Sequence, residues 1–152
     1  MGETLAAVDA AGAAFRTRRW KMEVMVCDNN STDRTAAIAE AAGARVVFEA
    51  ENQISRSRNA AGNAARGDWI IFLDADSTPS EGLFAATSDL MEAESTLGGG
   101  AVIRMEVMPW WARIGLGIWN LISRIFRWPA GSYIFCRAEA FRELEGFSPK
   151  LY

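Results

Sequence analysis

Apolar and polar residues alternate with different periods along the chain. One stretch, Trp69-Ile70-Ile71-Phe72-Leu73, is continuously apolar and rich in β-branched and aromatic side chains. That pattern predicts a strand buried on both faces. Glu23 to Cys27, Arg45 to Glu49 and Ser132 to Cys136 are further strand candidates, and Ala101 to Met108 alternates with Arg104 and Glu106. Between them lie helical patterns. Residues 3–16 form an amphipathic helix on Leu5, Val8 and Phe15, and an alanine-rich helix opens at a Ser31 or Thr32 cap and closes near Gly43. Ile54 to Ala65 is a helix stopped by Gly67. Pro79 to Glu94 is another, with Thr78 as N-cap, Pro79 at N1 and Glu81 closing a capping box. Gly98-Gly99-Gly100 reads as a break, Arg137 to Leu144 as a short helix, and Gly146-Phe147 as a turn. Strand and helix alternate with short connections up to Leu73. This predicts an α/β domain with a parallel sheet and helices on both faces.

Val107 to Trp128 departs from this regularity. On a helix, Trp111, Ile114, Ile118, Ile122 and Ile125 fall on one stripe, and Arg113, Gly117, Asn120, Arg124 and Arg127 on another. The uncharged run from Ile114 to Ser123 is too short to span a bilayer, which takes about 20 apolar residues. Two readings fit: a helix packed on the domain's own sheet, or one lying in the membrane interface with tryptophan and arginine at headgroup level.

Composition narrows the chemistry. The 152 residues amount to one domain, 1–152. The net charge of −3 gives no ground for nucleic-acid binding. Histidine is absent, which excludes Ser-His-Asp and Cys-His catalysis and His-ligated zinc. Cys27 and Cys136 lack metal spacing and read as reduced, buried thiols of a cytoplasmic protein without a secretory signal.

The remaining signals sit where strands end. Trp69–Leu73 runs into Asp74-Ala75-Asp76, and Glu23–Cys27 into Asp28-Asn29-Asn30-Ser31-Thr32-Asp33. Ser57-Arg58-Asn59 lies on the helix between them. Open α/β sheets bind ligands at that carboxyl edge. Carboxylates there suit Mg²⁺ or Mn²⁺ bridged to a diphosphate, and an arginine suits the phosphates themselves. Two solvated turn aspartates remain the simpler reading of Asp74 and Asp76, and Arg56 is the alternative to Arg58. Asp33 reads as a favourable charge at a helix N-terminus, and Asn59 as a side chain bonding loop backbone. Neither Gly-x-Gly-x-x-Gly nor Gly-x-x-x-x-Gly-Lys occurs, which counts against dinucleotide binding, ATPase chemistry and nucleotidyl transfer.

The series Asp28-Asn29-Asn30-Ser31-Thr32-Asp33, Ser57-Arg58-Asn59-Ala60-Ala61-Gly62, Asp74-Ala75-Asp76, with Gly131-Ser132 through Glu145-Gly146-Phe147 behind it, resembles family 2 glycosyltransferases over roughly residues 3–152. The resemblance implies a three-layer α/β/α, Rossmann-like GT-A fold and metal-dependent sugar transfer from a nucleotide-diphosphate donor to a lipid, glycan or other hydroxyl acceptor. It implies that Asp28 contacts the base, Arg58 the diphosphate side, Asp74 the ribose and Asp76 the metal, in a DxD arrangement. A lipid-linked or glycan acceptor and a peripheral contact of 107–128 with the inner face of the membrane accompany that expectation.

The family pattern also holds two features this sequence lacks. Family members begin with a central strand and a Pro-x-x-Asn-Glu-type turn ahead of the first helix. Their catalytic acid follows the Gly-Phe turn, so the general base is expected beyond Tyr152, while Glu139, Glu143 and Glu145 read as helix-surface charges. The expectation is therefore a partial domain truncated at both ends, weak or inactive alone. A non-catalytic nucleotide-binding or membrane-interface module is the alternative.

Overall fold

The computed structural model describes residues 1–102, 109–126 and 131–150. In chain order the elements begin α1 (Gly2–Ala11), α2 (Ala13–Thr17), β1 (Met25–Asp28), α3 (Thr35–Ala41), β2 (Arg45–Phe48) and α4 (Ile54–Ala64). They continue β3 (Trp69–Leu73), α5 (Glu81–Glu92), β4 (Gly98–Gly100), α6 (Trp110–Phe126), β5 (Tyr133–Arg137) and α7 (Ala138–Glu143). The strand expected over Ala101 to Met108, with Arg104 and Glu106, lies mostly outside the described residues.

β1 and β2 pair in parallel, with Val26 beside Val46. β3 does not extend that ladder. It pairs antiparallel with β5, Ile71 opposite Phe135, and β5 carries β4 on its other edge, giving the order β3-β5-β4. The parallel pairing predicted for the first three strands thus holds for two of them. The apolar run of β3 is divided between two faces. Trp69, Ile71 and Leu73 pack toward a core with Phe15, Phe84, Tyr133 and Phe135, while Ile70 and Phe72 pack with Ala138 and Phe141. Helices cover both sides: α1, α2 and α5 on one, α4 and α7 on the other. α1 spans the two sheets, because Val8 joins the β3 core and Leu5 joins the β1 core around Val26 and Ala39.

Several local expectations are corrected. Residues 3–16 are not one helix but two, meeting at Gly12, where an added Cβ would lie 2.7 Å from the Met22 terminal methyl. Neither Ser31 nor Thr32 caps α3. Both lie in the preceding loop, and Arg34 takes the N-cap position after Asp33 Oδ1 has accepted the Thr35 amide at 2.9 Å. α5 begins two residues later than predicted: extended Ser80 caps it by accepting the Leu83 amide at 3.2 Å, leaving Thr78 and Pro79 outside. Gly98–Gly100 is a strand rather than a break. A Cβ on Gly98 would stand 2.6 Å from the Phe135 carbonyl oxygen, and one on Gly99 2.9 Å from the Phe135 ring, so only bare backbone lies this close to β5. The two cysteines are half-buried and unpaired. Partial burial raises both thiol pKa values, with the Ser57 hydroxyl pulling Cys27 partly back.

Candidate functional site

β1 and β3 both end in carboxylates, and α4 stands beside those ends. Asp28 closes β1, and its Oδ1 accepts the Ser31 amide at 3.0 Å across a loop in which Asn30 takes a left-handed φ of 57°. Asn29 ties this loop to the start of α4. Its Nδ2 donates to the carbonyls of Glu49 and Glu51 at 3.0 and 2.6 Å, and its Oδ1 accepts the Gln53 amide at 3.1 Å.

One turn into α4 the two arginines separate. Arg56 turns to the acidic pair Glu49 and Glu51, at 3.2 and 3.4 Å. Arg58 turns to the end of β3, where its Nη2 donates to Asp74 Oδ1 at 2.8 Å and to the Gly131 carbonyl at 2.6 Å. The Arg58 side chain is 19% exposed and that of Asp74 44%, so the pair is half in water. Its Coulombic gain is modest, and its value lies in fixing the direction of both groups.

The Asp74-Ala75-Asp76 loop is held from both sides. The Asp74 amide donates to the Ser132 carbonyl at 3.2 Å, and the Ser77 amide donates back to the Asp74 carbonyl at 3.0 Å. From α1, the buried Thr4 hydroxyl donates to the Ala75 carbonyl at 2.7 Å. Asp76 is exposed, and no cation pairs with it among the described residues. No group of three or more protein ligands gathers among the described residues. Two neighbouring carboxylates, one open, nevertheless suit Mg²⁺ or Mn²⁺, which bind through one or two carboxylates and take their other ligands from water and phosphate.

The structure therefore brings Arg58 and Asp74 into contact, leaves Asp76 open beside them, and puts Asp28 at the end of β1 in the other sheet. The sequence reading missed the parts that hold them: Thr4, Asn29, the Gly131 carbonyl and the ring of Phe147, whose centroid lies 5.4 Å from the Arg58 guanidinium carbon. Asn29 was legible as an Asx residue at a strand end. Nothing local marks Thr4.

α6 contributes none of the side chains described above. Trp110 is 75% exposed, and Trp111, Ile114, Ile118 and Ile125 of the stripe are exposed with it, so of the two readings given for this helix, packing of the stripe on the sheet does not hold. No helix among the described residues is long and apolar enough to cross a membrane.

Comparison with known proteins follows the same lines. The sequence model of the family described as Glycosyl transferase family 2 matches residues 6–145. A TPR repeat-containing protein of Synechococcus elongatus is 36% identical over 106 residues, covering 69% of this chain and 25% of that protein. An uncharacterized glycosyltransferase of Rickettsia bellii is 39% identical over 61 residues, covering 40% of this chain and 21% of its own. Among solved structures, glucosyl-3-phosphoglycerate synthase from Mycobacterium tuberculosis, in complex with Mn²⁺, uridine diphosphate and phosphoglyceric acid, is similar at a TM-score of 0.61 and 23% identity. That match covers 90% of this chain and 51% of the synthase, so the chain spans about half the length of the solved relative and a quarter or less of the curated ones.

Proposed function

The chain belongs to glycosyl transferase family 2, and from that premise we propose that it binds a nucleotide-diphosphate sugar at the β1 and β3 edge for transfer to a hydroxyl acceptor. The observation that carries this reading is the Arg58–Asp74 contact at 2.8 Å with the open carboxylate of Asp76 two residues on. Asp28, at the end of β1, accepts from the base. Asp74 accepts from a ribose hydroxyl, and its pairing with Arg58 keeps one oxygen engaged and the other free to do so. Arg58 presents the remaining donors of its fork toward the diphosphate. Asp76 would hold Mg²⁺ or Mn²⁺. When bound, the cation would supply positive charge to balance the charge developing on the diphosphate. These residues make up the donor side, and none of them takes the part of general base.

For the acceptor, we read the segment around α6. Pro109 to Gly131 contains no acidic residue and three arginines, in a chain of net charge −3. An apolar stripe with that charge segregation suits an anionic lipid surface. This supports a reading in which the acceptor is lipid-linked and α6 is a peripheral membrane contact.

Isothermal calorimetry with uridine and guanosine diphosphates, with and without Mn²⁺, tests the donor side. The expected result is Mn²⁺-dependent binding of one nucleotide, weakened at least tenfold (about 1.4 kcal/mol) in Asp76→Ala. Binding that is indifferent to Mn²⁺, or to Asp76→Ala, overturns the assignment.

A further inference from the structure

Arg58 and Asn59 are adjacent on α4 and reach the same distant turn by different routes. Asn59 Nδ2 donates to the Phe147 carbonyl at 2.8 Å, and the Phe147 amide donates back to Asn59 Oδ1 at 2.8 Å. One side-chain amide thus closes both backbone bonds of Phe147, as a neighbouring strand would. The turn it holds is left-handed at two successive residues, Glu145 at φ 57° and Gly146 at φ 75°. A Cβ on Gly146 would stand 2.4 Å from Asn59 Oδ1, so the close approach requires glycine there. Arg58 meets the same residue from the side, its guanidinium 5.4 Å from the Phe147 ring centroid, while its Nη2 is committed to Asp74 and Gly131.

We propose that Arg58 and Asn59 form a clasp linking the Asp74 carboxylate to the Gly146-Phe147 turn, so that whatever engages Asp74 changes how firmly residues 146–150 are held. Asn59 supplies the hold. Arg58 supplies the link, because its fork is oriented by Asp74 and its face lies against Phe147. Removing the charge on Asp74 frees the guanidinium to leave the ring, and the cation–π contact weakens. The coupling is reciprocal, as any coupling between two sites must be. These are positioning residues for the Gly146-Phe147 turn. The ligand arm of the idea rests on the donor reading, and the ligand-free arm does not.

Exchange of the Phe147 amide, followed by NMR, tests the clasp directly, since that proton is donated to Asn59. In ligand-free protein, Asp74→Asn is expected to speed exchange roughly fivefold, and to have no further effect in an Arg58→Ala background. Asn59→Ala is expected to speed it at least tenfold. If Asn59→Ala does not fold, the Asp74→Asn and Arg58→Ala cycle decides alone, since both side chains are partly in water. Unchanged exchange in Asp74→Asn, or an equal effect in both backgrounds, overturns the proposal. With saturating uridine diphosphate and Mn²⁺ the Phe147 amide of the parent chain is expected to shift, and an unmoved amide in the nucleotide-bound protein overturns the ligand arm. Should calorimetry show no nucleotide binding, the donor reading fails, and the ligand-free cycle still decides the clasp.

Discussion

α4 and α6 break the usual inside-out order of a surface helix in opposite senses. α4 leaves Ile54 59% exposed while burying Ser55 and Gly62, and it sends Arg58 and Asn59 toward other parts of the chain. α6 faces outward with Trp110, Trp111, Leu121 and Ile125. Exposed apolar residues scattered singly are ordinary, but a whole helical stripe of them marks a surface that binds something. Polar side chains turned inward mark a place where direction matters more than burial energy. The difference is one of direction: α4 turns polar side chains inward at the corner around Asp74, and α6 turns apolar ones outward.

The largest effect is expected beneath α4. Gly62 lies against Phe72 and Phe141, where an added Cβ would stand 3.1 and 2.6 Å from their rings, and Phe72 meets Phe147 edge-on at 5.0 Å. Phe72→Ala is expected to cost about 3–5 kcal/mol in urea unfolding. A loss under about 1 kcal/mol would show that the corner does not rest on this aromatic seat.

A smaller effect tests whether an inward polar group stabilises. The Tyr133 hydroxyl lies 2.8 Å from the Thr87 hydroxyl, both buried, and burial pushes the phenol pKa up to about 12 from 10.0. A raised folded-state pKa means the stabilisation is complete below pH 10 and is lost as pH climbs toward 12. Unfolding free energy is therefore expected to fall by on the order of 2 kcal/mol between those limits in the parent chain, and not in Tyr133→Phe. Parallel alkaline profiles in the two proteins would refute it.

The smallest expected change in stability belongs to α6. Replacing Trp110 and Trp111 together by Ser is expected to move the unfolding free energy by less than about 0.5 kcal/mol, because both lie in water. The same variant is expected to lose several-fold in affinity for anionic phosphatidylserine vesicles. Vesicle binding equal to that of the parent would remove the contact role from this stripe.

How much of this could be read from residues alone depends on the range of the interaction. The strand at Trp69–Leu73 was legible because five apolar residues need cover on two faces, and the structure supplies it. The Asp74-Ala75-Asp76 loop was legible because a strand end beside a helix start is set locally. The parallel pairing of β1 with β2 followed from a short crossover. The role of Asn59 in bonding loop backbone was also read, though not which loop. The rest was decided elsewhere in the chain. Three glycines have little intrinsic strand preference, and Gly98–Gly100 becomes β4 only because Phe135 lies across it. Ser80 outcompetes Thr78 as a cap by taking the extended backbone from which its hydroxyl meets the Leu83 amide. Arg58 was separable from Arg56 only once Glu49 and Glu51 were seen to claim the latter.

The bonds that Asn59 makes to Phe147 close a loop of 88 positions, and the Arg58 bond to Gly131 one of 73. Closing long loops is slow, because their entropy must be lost before any contact repays it. Helices and the β1–β2 ladder form from nearer neighbours, so this corner is expected to assemble late in folding. During synthesis the Asp74 edge emerges well before its partner turn does. Arg58 and Asn59 meet their partners only when residues 131 and 147 have followed them out.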